Sequence, residues 1–370
     1  MKILVIGSKS FSLVNFRGEM LKEFHHRGHE VVAVAPDYEA EIAEILQGWG
    51  IGYENVFLNR TGTNLVQDFR TFFSLLKMFR KQRPDLVLSY TIKPVIFASV
   101  AASFCRVPKI FSMITGLGWV FNRQHRLKAK LIQFWIIALY RFAARKNTGL
   151  IFQNPDDMRE FLGRNIIDQG RAFMVNGSGV DVSHYSFSQP PEGPPGFIFI
   201  GRLLKEKGLM EYVAAAEILK KKYPEAVFEV LGRLDSNPGA ISETEYRRLQ
   251  EDPAINMLPE TPDVRPYLKR SSVFVLPSYR EGTPRTALEA MATGRPLVMA
   301  DSPGCRETVM EGENGFLVPV KDPVALAGAM EKFIRNPELI GPMGKRSREI
   351  AEEKYDVKKV NQDIIRILEL

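Results

Sequence analysis

The stretch MKILVIGSKSFSLVNFRGEMLKEFHHRGHEVVAVAP, residues 1–36, decides the fold. Its apolar run ILVI stops at Gly7, a polar turn follows, FRGEMLKEFHHRG reads as a helix, and HEVVAVAP is a second apolar run. Strands without polar alternation are buried on both faces, and a helix between two of them is the crossover of a parallel pair. Runs of the same kind recur at DLVLSY (85–90), KIFSMI (109–114) and GLIFQN (149–154). The first half of the chain is therefore predicted to be a doubly wound parallel sheet.

A second series begins after SFSQPPEGPPG (186–196), whose Pro and Gly density reads as a linker. Its strands are FIFIGR (197–202), AVFEVLG (226–232), SVFVLP (272–277), PLVMA (296–300) and GFLVP (315–319). Helices are predicted at 208–222, 263–270, 284–293, 304–311 and 322–335, with a last helix from about 345 to 370. The chain has 370 residues, more than one core of about 250–300 residues accommodates. The expectation is an α/β protein of two doubly wound, Rossmann-like domains, 1–185 and 186–349, facing across a cleft at the carboxyl ends of their strands. Residues 350–370 are expected to pack back on the first domain.

Two cysteines, Cys105 and Cys305, form no CxxC pair or Cys/His cluster, which argues against a disulfide framework or zinc site and fits a reducing cytoplasm. The opening apolar run is too short for a signal peptide. The most apolar stretch, LIQFWIIALYRFAA (131–144), is interrupted by Gln133 and Arg141 and falls short of a membrane span. The net charge is +7, but residues 60–150 hold sixteen Lys and Arg against only Asp68 and Asp85. Such asymmetry points to an anionic partner: a phospholipid surface, a diphosphate or nucleic acid. Nucleic acid is the weakest of these, since no groove-reading module is present and the aromatic residues fall in apolar runs. Residues 125–146 read either as a buried helix or as one lying in an anionic interface, with Lys128 and Lys130 among its basic flanks. Arg17 and Lys93 are further candidates for contact with acceptor or membrane.

The chemistry gathers in two motifs. In GRLLKEKG (201–208), a strand ends at Gly201 and Arg202 and Lys207 stand just before a helix, a suitable seat for a diphosphate. Taken alone, the fragment reads equally well as solvated loop charge. In YREGTPRTALEAMATG (279–294), Pro284 suits a first helical position and Gly294 the position past the helix end. Glu281 then lies in the loop before the helix and Glu289 within it, placed to take two sets of sugar hydroxyls, with the N–H groups of Gly282 and Thr283 between them. The alternative pairs Glu289 with Arg285 one turn back and leaves Glu281 to the helix dipole.

Five features in fixed order, GRLLKEKG, VLPSYREG, Glu281-x7-Glu289, EAMATGRPLV and NGFLVP, resemble the retaining glycosyltransferases of the GT-B fold often called family four. NGSGVDVSHY (176–185) is similar to that family's interdomain segment. The resemblance implies that Arg202 and Lys207 hold the donor diphosphate, that Glu281 contacts the donor sugar and that Glu289 binds the ribose. It implies further that Gly201, Gly282, Thr283 and Pro284 line the donor and that the turn after Gly7 approaches the diphosphate from the other domain. SYTIKPVIFASVAA, VPKIFSMITGLGWVF and NPGAIS resemble a bacterial subgroup that adds N-acetylhexosamine to polyprenyl-diphosphate-linked sugars. A UDP-sugar donor, a lipid-linked saccharide acceptor and a peripheral place on the inner face of the cytoplasmic membrane are implied. The family's histidine after the strand KIFSMI is missing: Ile114-Thr115-Gly116 stands there, with Thr115 a candidate for contact with donor sugar or acceptor in its place. That absence leaves room for a catalytically silent nucleotide-sugar-binding partner. No Asp-x-Asp occurs, so no metal or other cofactor is expected.

Overall fold

The computed structural model describes residues 1–59, 64–117, 127–235, 237 and 239–370, with all side chains except those of 127–132. The chain forms two compact units, Met1–Ser178 with Lys358–Leu370, and Gly179–Val357.

In the first unit the strands are β1 (Lys2–Ile6), β2 (Glu30–Ala35), β3 (Gly52–Asn55), β4 (Leu86–Tyr90), β5 (Lys109–Ile114), β6 (Gly149–Phe152) and β7 (Ala172–Met174). All pair in parallel in the order β3-β2-β1-β4-β5-β6-β7. The helices are α1 (Ser10–His26), α2 (Ala40–Gly48), α3 (Leu65–Gln82), α4 (Ile92–Phe104), α5 (Leu127–Ala144) and α6 (Pro155–Gly163). Alternate residues of β1 explain the two covered faces: Ile3 and Val5 pack with α1 and α2, Leu4 and Ile6 with α3 and α4. The order reverses between β1 and β4, and at that switch point the loops diverge to opposite faces.

The second unit repeats the plan. Its strands β8 (Gly196–Ile200), β9 (Val227–Leu231), β10 (Asn256–Leu258), β11 (Val273–Leu276), β12 (Leu297–Ala300) and β13 (Gly315–Val318) form a parallel sheet in the order β10-β9-β8-β11-β12-β13. Helices α7 (Leu209–Lys222), α8 (Glu243–Gln250), α9 (Arg265–Arg270), α10 (Arg285–Thr293), α11 (Pro323–Arg335) and α12 (Ile340–Ile350) accompany it. The switch point lies between β8 and β11.

Several expectations require correction. The unit boundary falls at 178/179 rather than 185/186, because Val180 N–H donates to Tyr355 O (2.8 Å) and Val357 N–H to Val180 O (3.0 Å). SFSQPPEGPPG is not a free linker: the buried Arg295 guanidinium donates to Ser188 O (2.9 Å), Ser188 Oγ (2.5 Å) and Leu268 O (2.8 Å). Burial brings the Arg295 pKa down to about 10. The helix expected at 304–311 is a single 3-10 turn, Arg306–Thr308. The last helix is interrupted: α12 passes through a π-helical turn, Ala351–Tyr355, and Asp356 is extended and bridged to Val180 before α13 (Val357–Leu368) begins. On α13, Val360, Ile364, Ile365 and Leu368 are buried in the core of the first unit.

Candidate functional site

Both predicted motifs leave the carboxyl edge of the second sheet at its switch point. After β8 the chain passes Gly201 and Arg202, makes a 3-10 turn over Lys205–Lys207, and enters α7 through Gly208. After β11 it passes Ser278, Glu281, Gly282 and Thr283 before α10. Gly208 has φ 75°, and a Cβ there would lie 2.2 Å from Pro277 O, so only glycine lets the loops approach this closely. Tyr279 N–H donates to Glu206 O (2.9 Å), and Ser278 Oγ stands 3.2 Å from the same oxygen, lacing one loop to the other.

The lacing brings Lys207 and Glu281 into a direct ion pair, both mostly out of water. Ser278 Oγ donates to Glu281 Oε1 at 2.7 Å, and Glu281 N–H donates to Pro303 O at 2.9 Å. Arg202 reaches Asp235 Oδ2 at 3.1 Å, with the aspartate nearly buried and the arginine half exposed. Glu206 lies among these charges; burial pushes its carboxyl up, Lys207 and Arg202 pull it down, and Glu281 pushes it up.

Glu289 sits on α10, whose residues Ala287–Thr293 are all buried. Arg285 Nε donates to its Oε1 at 3.1 Å, so the pairing weighed from the sequence is present. Burial raises the Glu289 carboxyl above its ordinary range; Arg285 and a hydrogen bond from the Tyr185 hydroxyl offset part of that. Pro284, with ψ 111°, precedes the helix instead of opening it, and Arg285 is the first helical residue.

The residues expected from the first unit fare differently. Gly7 lies at that unit's own switch point, where its N–H donates to Val34 O (3.0 Å) and a Cβ would meet Tyr90 Oη at 2.3 Å. The following turn is already engaged: Ser10 N–H donates to Asp37 Oδ1 (2.8 Å) and Ser10 Oγ–H to Glu39 Oε1 (2.6 Å). Arg17 is buried, its guanidinium 5.1 Å from the centroid of the Tyr90 ring, which removes it as a surface cation. Lys93 is paired with Asp68 at 2.7 Å and largely covered. Thr115 is half-buried just beyond β5. Lys128 and Lys130 belong to α5, but their side chains lie outside the described residues.

Of the residues singled out from the sequence, the structure joins Lys207 with Glu281, and pairs Arg202 with Asp235 and Glu289 with Arg285; Tyr185, Glu206, Asp235 and Ser278 had not been singled out. Ser278, three residues before Glu281, and Glu206, beside Lys207, stood within the quoted motifs; Tyr185 and Asp235 come from distant segments and carried no local signal.

Comparison with known proteins bears on the family and the fold. Residues 184–353 match the family described as glycosyl transferases group 1, and residues 15–177 match the glycosyl transferase 4-like domain. The chain is 26% identical to the N,N'-diacetylbacillosaminyl-diphospho-undecaprenol alpha-1,3-N-acetylgalactosaminyltransferase of Campylobacter jejuni, covering 99% of this chain and 98% of that one. It is 25% identical to the UDP-Gal:alpha-D-GlcNAc-diphosphoundecaprenol alpha-1,3-galactosyltransferase of Escherichia coli over 80% of this chain and 78% of that one. The fold superposes on Anabaena HepE, crystallised in complex with UDP, with a TM-score of 0.77, 18% identity and full coverage of both chains. Two Rossmann-like units, with a glycosyl transferase 4-like domain followed by a glycosyl transferases group 1 domain, identify the chain as a hexosyltransferase with the GT-B fold.

Proposed function

We propose that the protein is a retaining glycosyltransferase that moves N-acetylhexosamine from a UDP-sugar to a polyprenyl-diphosphate-linked saccharide in bacterial glycan assembly. The observation that carries this reading is the meeting of Lys207 and Glu281 at the switch point of the second sheet, with Arg202 beside them. Donor arrival exchanges this ion pair for two new contacts: the Lys207 ammonium turns to the diphosphate and the Glu281 carboxylate to the sugar hydroxyls. Arg202 adds a second positive charge to the phosphates, and Gly201, Gly282, Thr283 and Pro284 bring backbone close to the donor. Glu289 takes the ribose hydroxyls. UDP is favoured by the nucleotide bound in HepE, and the lipid-linked acceptor and N-acetylhexosamine by the Campylobacter relative.

Glycosyl transfer passes through an oxocarbenium-like state with growing negative charge on the leaving phosphate. Arg202 and Lys207 stabilise that charge, and removing one such group costs about 100-fold or more in turnover. Retention follows from attack on the face that the diphosphate leaves. The acceptor hydroxyl forms the new C–O bond as the sugar–phosphate bond breaks, and its proton passes to the leaving phosphate oxygen. With no Asp-x-Asp in the chain, the reading is metal-independent; activity abolished by EDTA and restored by manganese would contradict it. The acceptor fixes the place of work, the inner face of the cytoplasmic membrane.

The test is nucleotide release from UDP-, GDP- and ADP-sugars with and without a short-chain polyprenyl-diphosphate-sugar, beside Glu281→Gln. Acceptor-dependent release from a UDP-sugar, lost in the variant, is the expected result. Tight donor binding without release would mark a silent binding partner instead.

A further inference from the structure

Helices α3, α4 and α5 form one layer over the first sheet: α3 and α4 share a core with β1, β2 and β4, and α4 and α5 share the next with β5 and β6. The outer side of this layer is unlike the rest of the surface. Six aromatic side chains among the described residues are 61–70% exposed, and five of them, Phe69, Phe73, Phe104, Phe134 and Trp135, stand on these three helices. Leu65 and Val66, on the first turn of α3, are still more exposed. On α3, residues 65, 69 and 73 recur every four positions, and on α5 the exposed Trp135, Leu139 and Phe142 do nearly the same, so each helix carries an outward apolar stripe besides its buried one.

Charge accompanies the stripes. Lys77, Arg80 and Arg83 follow the apolar half of α3, and Arg145 and Lys146 follow that of α5, all exposed. The carboxylates within 64–117 and 133–150 are Asp68, bound to Lys93, and Asp85, which accepts the Lys2 N–H. No described helix is long and apolar enough to cross a membrane. Apolar side chains in water beside unopposed cations match a surface that is hydrocarbon below and anionic above. A second copy of the chain would set like charge against like, and a polyanion would leave the Phe, Leu and Val side chains in water.

We infer that the outer side of the α3–α4–α5 layer docks on an anionic phospholipid bilayer, with Leu65, Val66, Phe69, Phe73, Phe134 and Trp135 entering the interface and the basic helix ends meeting lipid phosphates. Helices that cross back over a parallel sheet begin at its carboxyl edge, so the apolar half of α3 lies at the edge where ligands enter. The inference rests on the lipid-linked acceptor proposed above: docking presents that edge to an acceptor whose diphosphate lies at the bilayer surface.

The test uses the full chain and vesicles of phosphatidylcholine with or without phosphatidylglycerol. Flotation is expected with phosphatidylglycerol vesicles, weakened by high salt, and absent with pure phosphatidylcholine. Phe69→Ser/Phe73→Ser and Phe134→Ser/Trp135→Ser should each weaken it by about tenfold or more. Both variants should keep wild-type transfer to a short-chain, water-soluble acceptor and lose it with a long-chain acceptor held in vesicles. Unaltered flotation in both variants, equal binding to both vesicle types, or a concentration-dependent dimer dispersed by the same substitutions would overturn the docking surface. Failure of the wild type to use any polyprenyl acceptor would instead overturn the proposed function, whatever the vesicles bind.

Discussion

Lys207 and Glu281 compensate one another's charge in a place largely shielded from water, and neither tolerates loss of the other cheaply. Lys207→Ala should lower stability by about 3 kcal/mol, because it takes a positive charge away from a covered carboxylate. Adding Glu281→Gln should return most of that stability while transfer stays lost, a separation visible by pairing denaturant titration with the nucleotide-release assay. Glu289 obeys a different balance. Burial raises its pKa, so the folded protein holds this proton more tightly than the unfolded chain does. Its contribution to stability is therefore greatest below the ordinary carboxylate range and is lost as pH rises through the folded value. The ribose contact proposed for Glu289 calls for the ionised form, so under that proposal UDP affinity should fall on the acid side sooner than for an ordinary glutamate. Tyr185→Phe removes one of the groups that hold the Glu289 pKa down, and calorimetric titration across pH should find the fall moved to higher pH.

At the level of elements, the approach of two loops decides whether these residues meet. Gly208→Ala puts a methyl group on the Pro277 carbonyl at a positive φ. It should cost on the order of 1–3 kcal/mol and weaken donor binding by about tenfold or more, read by thermal melting and by UDP titration. What was legible at this scale followed burial. Strands β1, β4, β8, β11 and β12, covered on both faces, wrote themselves as apolar runs. Edge strands β3, β7 and β10, with sequences GYEN, AFM and NML, are short and partly exposed, and they escaped notice because their pairing is set by a neighbour. Arg17 is buried, and its position on α1 gives no hint that the Tyr90 ring covers it. The motif residues of the site were legible because loop chemistry is local; Tyr185 and Asp235 were not, because long-range folding delivers them.

For the whole molecule, the decisive fact is that the last helix belongs to the first unit. Deleting residues 357–370 uncovers the core against which Val360, Ile364, Ile365 and Leu368 pack, a loss on the order of 5 kcal/mol or more. Scanning calorimetry should resolve this as a large downward shift of one transition, assigned to the first unit by limited proteolysis, with the other little changed. The same topology makes the second unit an uninterrupted insertion, Gly179–Val357, between the two segments of the first. Its entry and exit touch, through the paired backbones of Val180, Tyr355 and Val357, and Gly179 would place a Cβ 2.6 Å from the Val357 Cα. An insertion whose two ends meet is a cassette: a relative's segment joined at the same two adjacent points can replace it without stretching the host, so the second unit can be exchanged by grafting while the first stays as it is.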